Sequence, residues 1–228
     1  MRIGSLFSGI GGLELGLERA GVGTVAWQCE ADPYCRRVLA KHWPGVPIFE
    51  DVRALTDPPG VEVLCGGFPC QDISVGGKGG GIRGERSGLF FELMRIVRVV
   101  RPQLVILENV PALTARGLGV VLSELAGAGF DAQWGCLSAA GVGAPHLRRR
   151  IFIVAYPNDA RRGKQWGAQP IPAEQPSPEC GGWWESEPGV GRVANGVSGR
   201  AHRLRALGNA VVPQVAEQVG RIALEIIR

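Results

Sequence analysis

Segments of strand length and segments of helix length alternate along the first two-thirds of the 228-residue chain. Short apolar stretches predict strands at residues 3–7, 24–29, 61–65 and 103–107, with two more at 131–137 and 150–154. Helical spacing of the apolar residues fills the intervals at 12–20, 33–42, 88–100 and 117–128. Alternation of this kind is typical of an α/β protein whose mostly parallel sheet carries helices on both faces.

The composition changes sharply after residue 155. Residues 156–197 contain many prolines and glycines that interrupt any periodicity, so we expect a small irregular insert there. Residues 211–227 resume helical spacing and predict one amphipathic helix that returns to the sheet. We therefore expect a main domain at residues 1–155, the insert at 156–197 and a carboxy-terminal segment at 198–228.

Hydropathy, the amino-terminal pattern and the cysteine spacing exclude several classes of protein. No apolar run approaches the roughly 20 residues that cross a bilayer, and the amino terminus has no signal-peptide pattern, so we expect a cytoplasmic protein without a membrane partner. None of the six cysteines forms a Cys-x-x-Cys pair, so neither disulfides nor a metal site is predicted. A net charge of +4 permits contact with a polyanion without requiring it.

Residues 7–12, which read Phe-Ser-Gly-Ile-Gly-Gly, link the first predicted strand to the first helix. Glycines let the backbone approach a ligand there, although a simple tight turn explains the cluster equally well. The spacing differs from Gly-x-Gly-x-x-Gly and argues against a dinucleotide site. Glu30 and Asp51 follow neighbouring apolar stretches, so both belong at the same sheet edge. Either is an acceptor for a nucleoside's hydroxyl or amine groups, or an ordinary solvated acid.

Cys70 differs from the other cysteines in its predicted surroundings. Cys29, Cys65 and Cys136 lie in strand-like segments, where a thiol is usually a small buried apolar group. Cys70 follows a strand, on a loop at the same sheet edge, and a loop thiol near cationic groups is the kind that reacts as a thiolate. The sequence therefore indicates a candidate nucleophile.

Five short motifs occur in one order along the chain and together resemble the motif series of cytosine-5 DNA methyltransferases. They are Phe-Ser-Gly-Ile-Gly-Gly at 7–12, Gly-Phe-Pro-Cys-Gln at 67–71, Glu-Asn-Val at 108–110, Arg-Arg-Arg at 148–150 and Leu-Gly-Asn-Ala-Val-Val-Pro at 207–213. The resemblance implies a Rossmann-like S-adenosylmethionine-dependent methyltransferase fold. It also implies methyl transfer from S-adenosylmethionine to carbon 5 of a cytosine flipped out of double-stranded DNA.

The resemblance assigns a role to each catalytic motif. Cys70 would add to carbon 6 of the base, and Glu108 would protonate or hydrogen-bond ring nitrogen 3. Asn109 would brace the loop that carries the cysteine. Arg148 and Arg150, alternating along a strand, would contact the base carbonyl and surrounding carboxylates or phosphate. Taken without the other motifs, three adjacent arginines are also typical of a solvated basic surface.

The resemblance likewise implies a set of cofactor-binding residues. Glu30 would bind the ribose and Asp51 the adenine amine, while the last helix packs beside the first strand so that both chain ends meet at the cofactor. The remaining residues assigned to this pocket are Phe7, Gly9, Gly11, Pro69, Asn209, Ala210 and Val211. The glycine-rich residues 75–88 are expected to close over the DNA and the extruded base.

Some positions depart from the family's usual pattern. Ser5 stands where an acidic residue is common, Ala31 where a larger side chain often covers the adenine, and His146 where Gln is customary. The insert at 156–197 is shorter than the usual target-recognition domain, so we expect a short recognition sequence, with a separate recognition partner left open. We expect a monomer of a bacterial or phage restriction-modification system. RNA cytosine-5 methylation and a noncatalytic DNA-binding module remain alternatives.

Overall fold

The computed structural model describes residues 1–69, 88–158, 169–170 and 199–227, and within these residues eight strands form one sheet. The strands are β1 (Arg2–Leu6), β2 (Thr24–Cys29), β3 (Ile48–Phe49), β4 (Val63–Gly67), β5 (Leu104–Asn109), β6 (Phe130–Ser138), β7 (Arg149–Pro157) and β8 (Gln169–Pro170). The helices are α1 (Gly12–Arg19), α2 (Pro33–His42), α3 (Gly88–Val100), α4 (Leu113–Arg116), α5 (Leu118–Gly127), α6 (Arg200–Asn209) and α7 (Pro213–Ile227), with a 3-10 turn at Ala139–Val142.

The strands lie in the order β3-β2-β1-β4-β5-β7-β6-β8. Those from β3 to β5 are mutually parallel, and β7 runs antiparallel between β5 and β6. The predicted mostly parallel α/β fold is therefore confirmed. The chain proceeds from β1 outward to β3 and then crosses back to β4, so the strand order reverses between β1 and β4. Ligands of open α/β sheets bind at the carboxyl ends of the strands at such a point.

Helices cover both faces of the sheet, as predicted. On one face α3 and α5 share a core with alternate side chains of the strands, including Leu64 and Leu107. On the other face α1 and α7 pack over Ile3, Cys65 and Ile106. Burying apolar side chains on two faces explains why the central strands read as continuous hydrophobic runs.

Helix α7 packs along α1 and shares a buried cluster with Ile3 of β1, which places both ends of the chain on one face of the sheet. The two helices approach closely at Gly16, where an added Cβ would lie 2.4 Å from the Cβ of Ala216 and 2.4 Å from the carbonyl oxygen of Pro213. Because a Cβ cannot sit at those distances, the two helix backbones depend on a glycine at this position.

We expect Gly16→Ala to lower the free energy of unfolding by about 1–3 kcal/mol, because the methyl group forces the two helices apart. Gly119→Ala is the matched control, since Gly119 lies exposed in α5 with no described atom within 4 Å of an added Cβ. Alanine there should stabilise the helix by about 0.5–1 kcal/mol. Urea unfolding followed by circular dichroism measures both variants, and equal changes in the two would contradict the packing argument.

Several details differ from the sequence predictions. The elements β3, β8, α4 and α6 were not predicted, the first three because they are very short and α6 because its apolar pattern is weak. Strand β5 extends to Asn109, because its pairing with β4 and β7 continues through Glu108. Cys29 and Cys65 are buried as expected, whereas Cys136 is only partly buried.

The predicted domain division remains a prediction. Strand β7 continues to Pro157, past the proposed boundary at residue 155, and β8 lies inside the proposed insert. Apart from residues 156–158 and 169–170, the insert lies outside the described residues, as do residues 75–87 of the predicted closing segment. Within the described part of the chain, no helix is both long and apolar enough to cross a membrane.

Candidate functional site

A cavity of about 810 Å³ opens at the carboxyl ends of β1, β2, β4 and β5. Its position is the reversal point of the strand order, and its size is that of a small-molecule site. Most of the site residues predicted from the sequence line it. They are Phe7, Gly9, Glu30, Asp51, Pro69, Glu108, Asn109, Arg150, Asn209, Ala210 and Val211.

The turn between β1 and α1 has an unusual backbone. Phe7, Gly9 and Gly11 adopt φ angles of +56°, +56° and +85°, and a non-glycine residue in this region is uncommon. Gly11 packs away from the cavity, because an added Cβ would lie 2.3 Å from the ring of Trp43. Around Gly9, by contrast, no described atom lies within 4 Å of an added Cβ. The turn therefore leaves room for a ligand on the cavity side.

Glu30 is held in a fixed orientation by two backbone amides. Its Oε2 accepts a hydrogen bond from the amide of Gly9 at 2.7 Å, and its Oε1 accepts one from the amide of Asp32 at 2.7 Å. Asp32 in turn caps α2 by accepting from the amides of Tyr34 and Cys35. Each oxygen of Glu30 keeps a second lone pair, so the carboxylate is a preorganised acceptor at the cavity wall.

Asp51 reaches the same cavity from the loop after β3. Its side chain is exposed, and its Oδ1 accepts from the amide of Arg53 at 2.9 Å. The parallel pairing of β2 with β3 brings Asp51 and Glu30 to one sheet edge, as the sequence predicted.

Glu108 lies near the end of β5 and is only 8% exposed. Its Oε1 forms an ion pair with Nε of Arg150 on the adjacent strand β7, at 2.9 Å. Burial raises the pKa of Glu108 to about 7, even though the nearby guanidinium groups of Arg150 and Arg148 act in the opposite direction. A carboxyl group with that pKa exchanges protons readily near neutrality and is suited to general acid catalysis.

Asn109 ties the end of β4 to the end of β5. Its side-chain amide donates to the carbonyl oxygen of Phe68 at 3.0 Å, and its own oxygen accepts from the amide of Val110 at 2.8 Å. Phe68 stands two residues before Cys70, which lies outside the described residues together with the rest of 70–87. The described chain therefore enters this segment beside Glu108, with Pro69 on the cavity wall.

Arg148 has a different position from the one predicted. It precedes β7, its φ is +21°, and it therefore does not alternate with Arg150 along the strand. Its guanidinium donates to the carbonyl oxygen of Gly208 at 2.9 Å and to that of Ala210, both at the carboxyl end of α6. Carbonyl groups at a helix end lack partners within the helix, so they attract a cation. Arg148 thus fastens the junction of α6 and α7 beside the cavity.

Sequence reasoning missed several cavity residues, among them residues of α6 and of α1. Arg205 and Ala206 approach the cavity from α6, which was not predicted. Glu14 of α1 also lines it and is fully buried, with Ser5 Oγ donating to its Oε1 at 2.6 Å. The signal for Glu14 was present in the sequence, because an acid stands between Leu13 and Leu17 on the buried side of a helix.

Comparison with known proteins supports the interpretation of the motifs. A family model of C-5 cytosine-specific DNA methylases matches residues 1–184. The type II methyltransferase M2.BsuMI of Bacillus subtilis is 37% identical over 163 residues, which cover 68% of this chain and 42% of that protein. The type II methyltransferase M.NgoBI of Neisseria gonorrhoeae is 37% identical over 157 residues, 66% of this chain and 49% of that protein. The chain spans about half the length of the curated relatives it matches.

The fold has solved counterparts as well. The structure of a mutant of DNMT2 from Spodoptera frugiperda aligns with a TM-score of 0.60 at 20% identity, over 76% of this chain and 56% of that one. At this identity the likeness supports the fold alone. The family match includes four of the five motif segments and most of the described sheet. The resemblance drawn from the motifs is confirmed, and the chain belongs to the C-5 cytosine-specific DNA methylase family.

Proposed function

We propose that the chain transfers a methyl group from S-adenosylmethionine to carbon 5 of a cytosine in double-stranded DNA, through a covalent adduct with Cys70. One observation carries the proposal. The buried pair of Glu108 and Arg150 opens into the same cavity as the Gly9 turn and the fixed carboxylate of Glu30. Glu108, a proton donor suited to a nucleobase, and Glu30, a hydrogen-bond acceptor suited to a nucleoside, therefore line the same cavity.

The residues around the cavity fit the proposed cofactor. Glu30 presents two oriented oxygens for ribose hydroxyl groups, and Asp51 presents a carboxylate for an adenine amine. Phe7, Gly9, Pro69, Asn209, Ala210 and Val211 complete the lining, with Gly11 supporting the turn from behind. When bound, S-adenosylmethionine supplies an electrophilic methyl group.

The chain's own residues account for the activation of the base. The thiolate of Cys70 forms a bond to carbon 6, and the displaced electron pair reaches ring nitrogen 3, where Glu108 delivers its proton. Carbon 5 thereby becomes nucleophilic enough to accept the methyl group. A proton acceptor then removes the proton from carbon 5, and the electron pair left behind restores the double bond between carbons 5 and 6 and expels the thiolate of Cys70. Nitrogen 3 returns its proton to Glu108.

The two arginines have separate parts in this proposal. Arg150 holds the carboxyl group of Glu108 and is close enough to the cavity to contact the base carbonyl. Arg148 acts as a positioning residue, because it fixes the junction that carries Ala210 and Val211. Asn109 positions the entry to the segment of Cys70 through its bond to Phe68.

The organisation of the whole chain belongs to the same proposal. Residues 1–155 provide catalysis and cofactor binding, residues 156–197 read a short DNA sequence, and residues 198–228 complete the cofactor pocket. The target base must leave the duplex to reach Glu108, because a stacked base cannot enter a cavity at the sheet edge. The protein acts on DNA in the cytoplasm as a monomer, as part of restriction and modification.

Incorporation of tritium from labelled S-adenosylmethionine tests this function. The purified chain is incubated with mixed-sequence DNA from a methylation-free host, or with RNA from the same cells, and cytosine-5 methylation is then mapped by bisulfite sequencing. We expect label in DNA alone and methylation at a short recurrent sequence. Label in RNA instead, or none in either nucleic acid, would overturn the proposal, and a long stringent site would contradict the small reader.

A further inference from the structure

A buried polar cluster lies at the foot of the cavity and has no part in the reaction described above. Ser8 Oγ donates to Ser5 Oγ at 2.9 Å, and Ser5 Oγ donates to Oε1 of Glu14 at 2.6 Å. Oε2 of Glu14 is buried and has no hydrogen-bond partner among the described residues. Native structures rarely leave a buried carboxyl oxygen unpaired, because its lost hydration costs free energy.

The position of Glu14 indicates which kind of group would satisfy it. Ser5, Ser8, Glu14 and Glu30 all line the cavity around the Gly9 turn, and Glu14 is the deepest of them, with no exposed surface. In the proposed function Asp51 and Glu30 bind the adenine and the ribose, which leaves the methionine portion of the ligand as the group for Glu14 to bind. A carboxylate oxygen that has free lone pairs forms its strongest hydrogen bond with a cationic N–H donor. Within S-adenosylmethionine, that donor is the α-ammonium group of the methionine portion.

We propose that Glu14 binds the α-ammonium group of the cofactor's methionine portion through Oε2, with Ser5 and Ser8 orienting its carboxylate. The inference rests on the proposed function in one respect, since it requires S-adenosylmethionine or its product as the ligand. It assigns to Glu14 a contact that discriminates ligands with an amino group from those without one.

Proton release on binding follows from the surroundings of Glu14. Burial raises the pKa of Glu14 to about 7 and the nearby charge of Glu30 adds to this, whereas Ser5 and Ser8 act in the opposite direction. Cys65 on β4 is a further titratable neighbour, and burial keeps its pKa well above the ordinary value, so the thiol stays neutral. An ammonium group favours the ionised carboxyl group. Ligand binding should therefore release a proton and become about tenfold weaker between pH 8 and pH 6.

Isothermal titration with S-adenosylhomocysteine and two of its analogues tests the contact. One analogue lacks the amino group, and the other lacks the carboxylate but keeps the amine. We expect Glu14→Gln to weaken S-adenosylhomocysteine and the decarboxylated analogue about 10- to 100-fold, which is the effect of losing a charged hydrogen bond. Affinity for the deaminated analogue should stay within about twofold of the unmodified protein, because that ligand has no group for Glu14 to bind.

Glutamine resembles the protonated carboxyl group in size and retains an acceptor for Ser5, so the variant should fold. Glu225→Gln, at an exposed position of α7, removes the same charge and should change none of the three affinities. Titrations in buffers of different ionisation enthalpy should show proton release in the unmodified protein and none in Glu14→Gln. A uniform loss of affinity for all three ligands would overturn the proposed contact in favour of a structural role.

The outcomes also separate this inference from the proposed function. If the unmodified protein binds S-adenosylhomocysteine and Glu14→Gln binds it equally well, the role of Glu14 is wrong while the methyltransferase proposal stands. If the unmodified protein binds neither S-adenosylmethionine nor S-adenosylhomocysteine, both are wrong.

Discussion

Cys70→Ala is expected to abolish methyl transfer, with a loss of at least about 10⁴-fold in the single-turnover rate. The reason is chemical, because carbon 5 of cytosine is too weak a nucleophile until a thiolate has added to carbon 6. DNA that carries 5-fluorocytosine measures the same step directly, since fluorine at carbon 5 blocks the final proton loss and traps the adduct. The unmodified protein should form a complex with this DNA that survives denaturing electrophoresis, and Cys70→Ala should form none.

Cys136→Ala is the matched control for this experiment. Cys136 lies in β6, is partly buried and does not line the cavity, so its removal should leave both the trapped complex and the rate unchanged. A trapped complex with Cys70→Ala would contradict the assigned nucleophile. Absence of the trapped complex in Cys136→Ala would assign the covalent step to a cysteine other than Cys70.

The position of the cavity at the sheet edge, and several of the residues that line it, could be predicted from the sequence because strand direction determines them. Each parallel strand ends at the same side of the sheet, so residues just after the predicted strands had to gather there. Glu30, Asp51 and Pro69 lie in one cavity for this reason. The spacing of the glycines argued against a dinucleotide site, and the order of the five motifs indicated the C-5 cytosine-specific DNA methylase family.

Other features depend on how distant segments pack and could not be predicted in this way. Arg148 bonds to carbonyl groups of residues 208 and 210, and this pairing depends on where α6 ends. Helix α6 has few buried residues and many charges, so its sequence carries little periodic signal. The raised pKa of Glu108 likewise depends on burial between β4 and β7, which strand assignment alone does not describe.

The two buried carboxyl groups of the cavity have opposite proposed requirements for their protons. Glu14 should be ionised to bind an ammonium group, whereas Glu108 should be protonated to act on the base. Burial brings the pKa of each to about 7, so acidification weakens the first role and supports the second. When the rate is measured at saturating cofactor, the effect of Glu14 on cofactor binding no longer contributes. The pH dependence of the rate then reports the protonation of Glu108.

Glu108→Gln should lower the single-turnover rate by about 10²- to 10⁴-fold, the usual contribution of a positioned general acid. Affinity for S-adenosylhomocysteine should change little, because Glu108 is proposed to contact the target cytosine and is not among the residues proposed to bind the cofactor. In the unmodified protein the protonated fraction of Glu108 falls tenfold for each pH unit above about 7. The rate at saturating cofactor should therefore decline on the alkaline side, and Glu108→Gln should lose that decline.

Arg150→Gln tests the direction in which Arg150 shifts the pKa of Glu108. The guanidinium of Arg150 lowers the pKa of Glu108, so its removal should raise that pKa and move the alkaline decline to higher pH. The rates of all three proteins, followed from pH 6 to pH 9, give the comparison. An alkaline decline that persists in Glu108→Gln, or that moves to lower pH in Arg150→Gln, would show that another group supplies the proton. Loss of the alkaline decline in Glu108→Gln, together with its move to higher pH in Arg150→Gln, would identify Glu108 as the acid that activates the base, with a pKa lowered by the neighbouring guanidinium of Arg150.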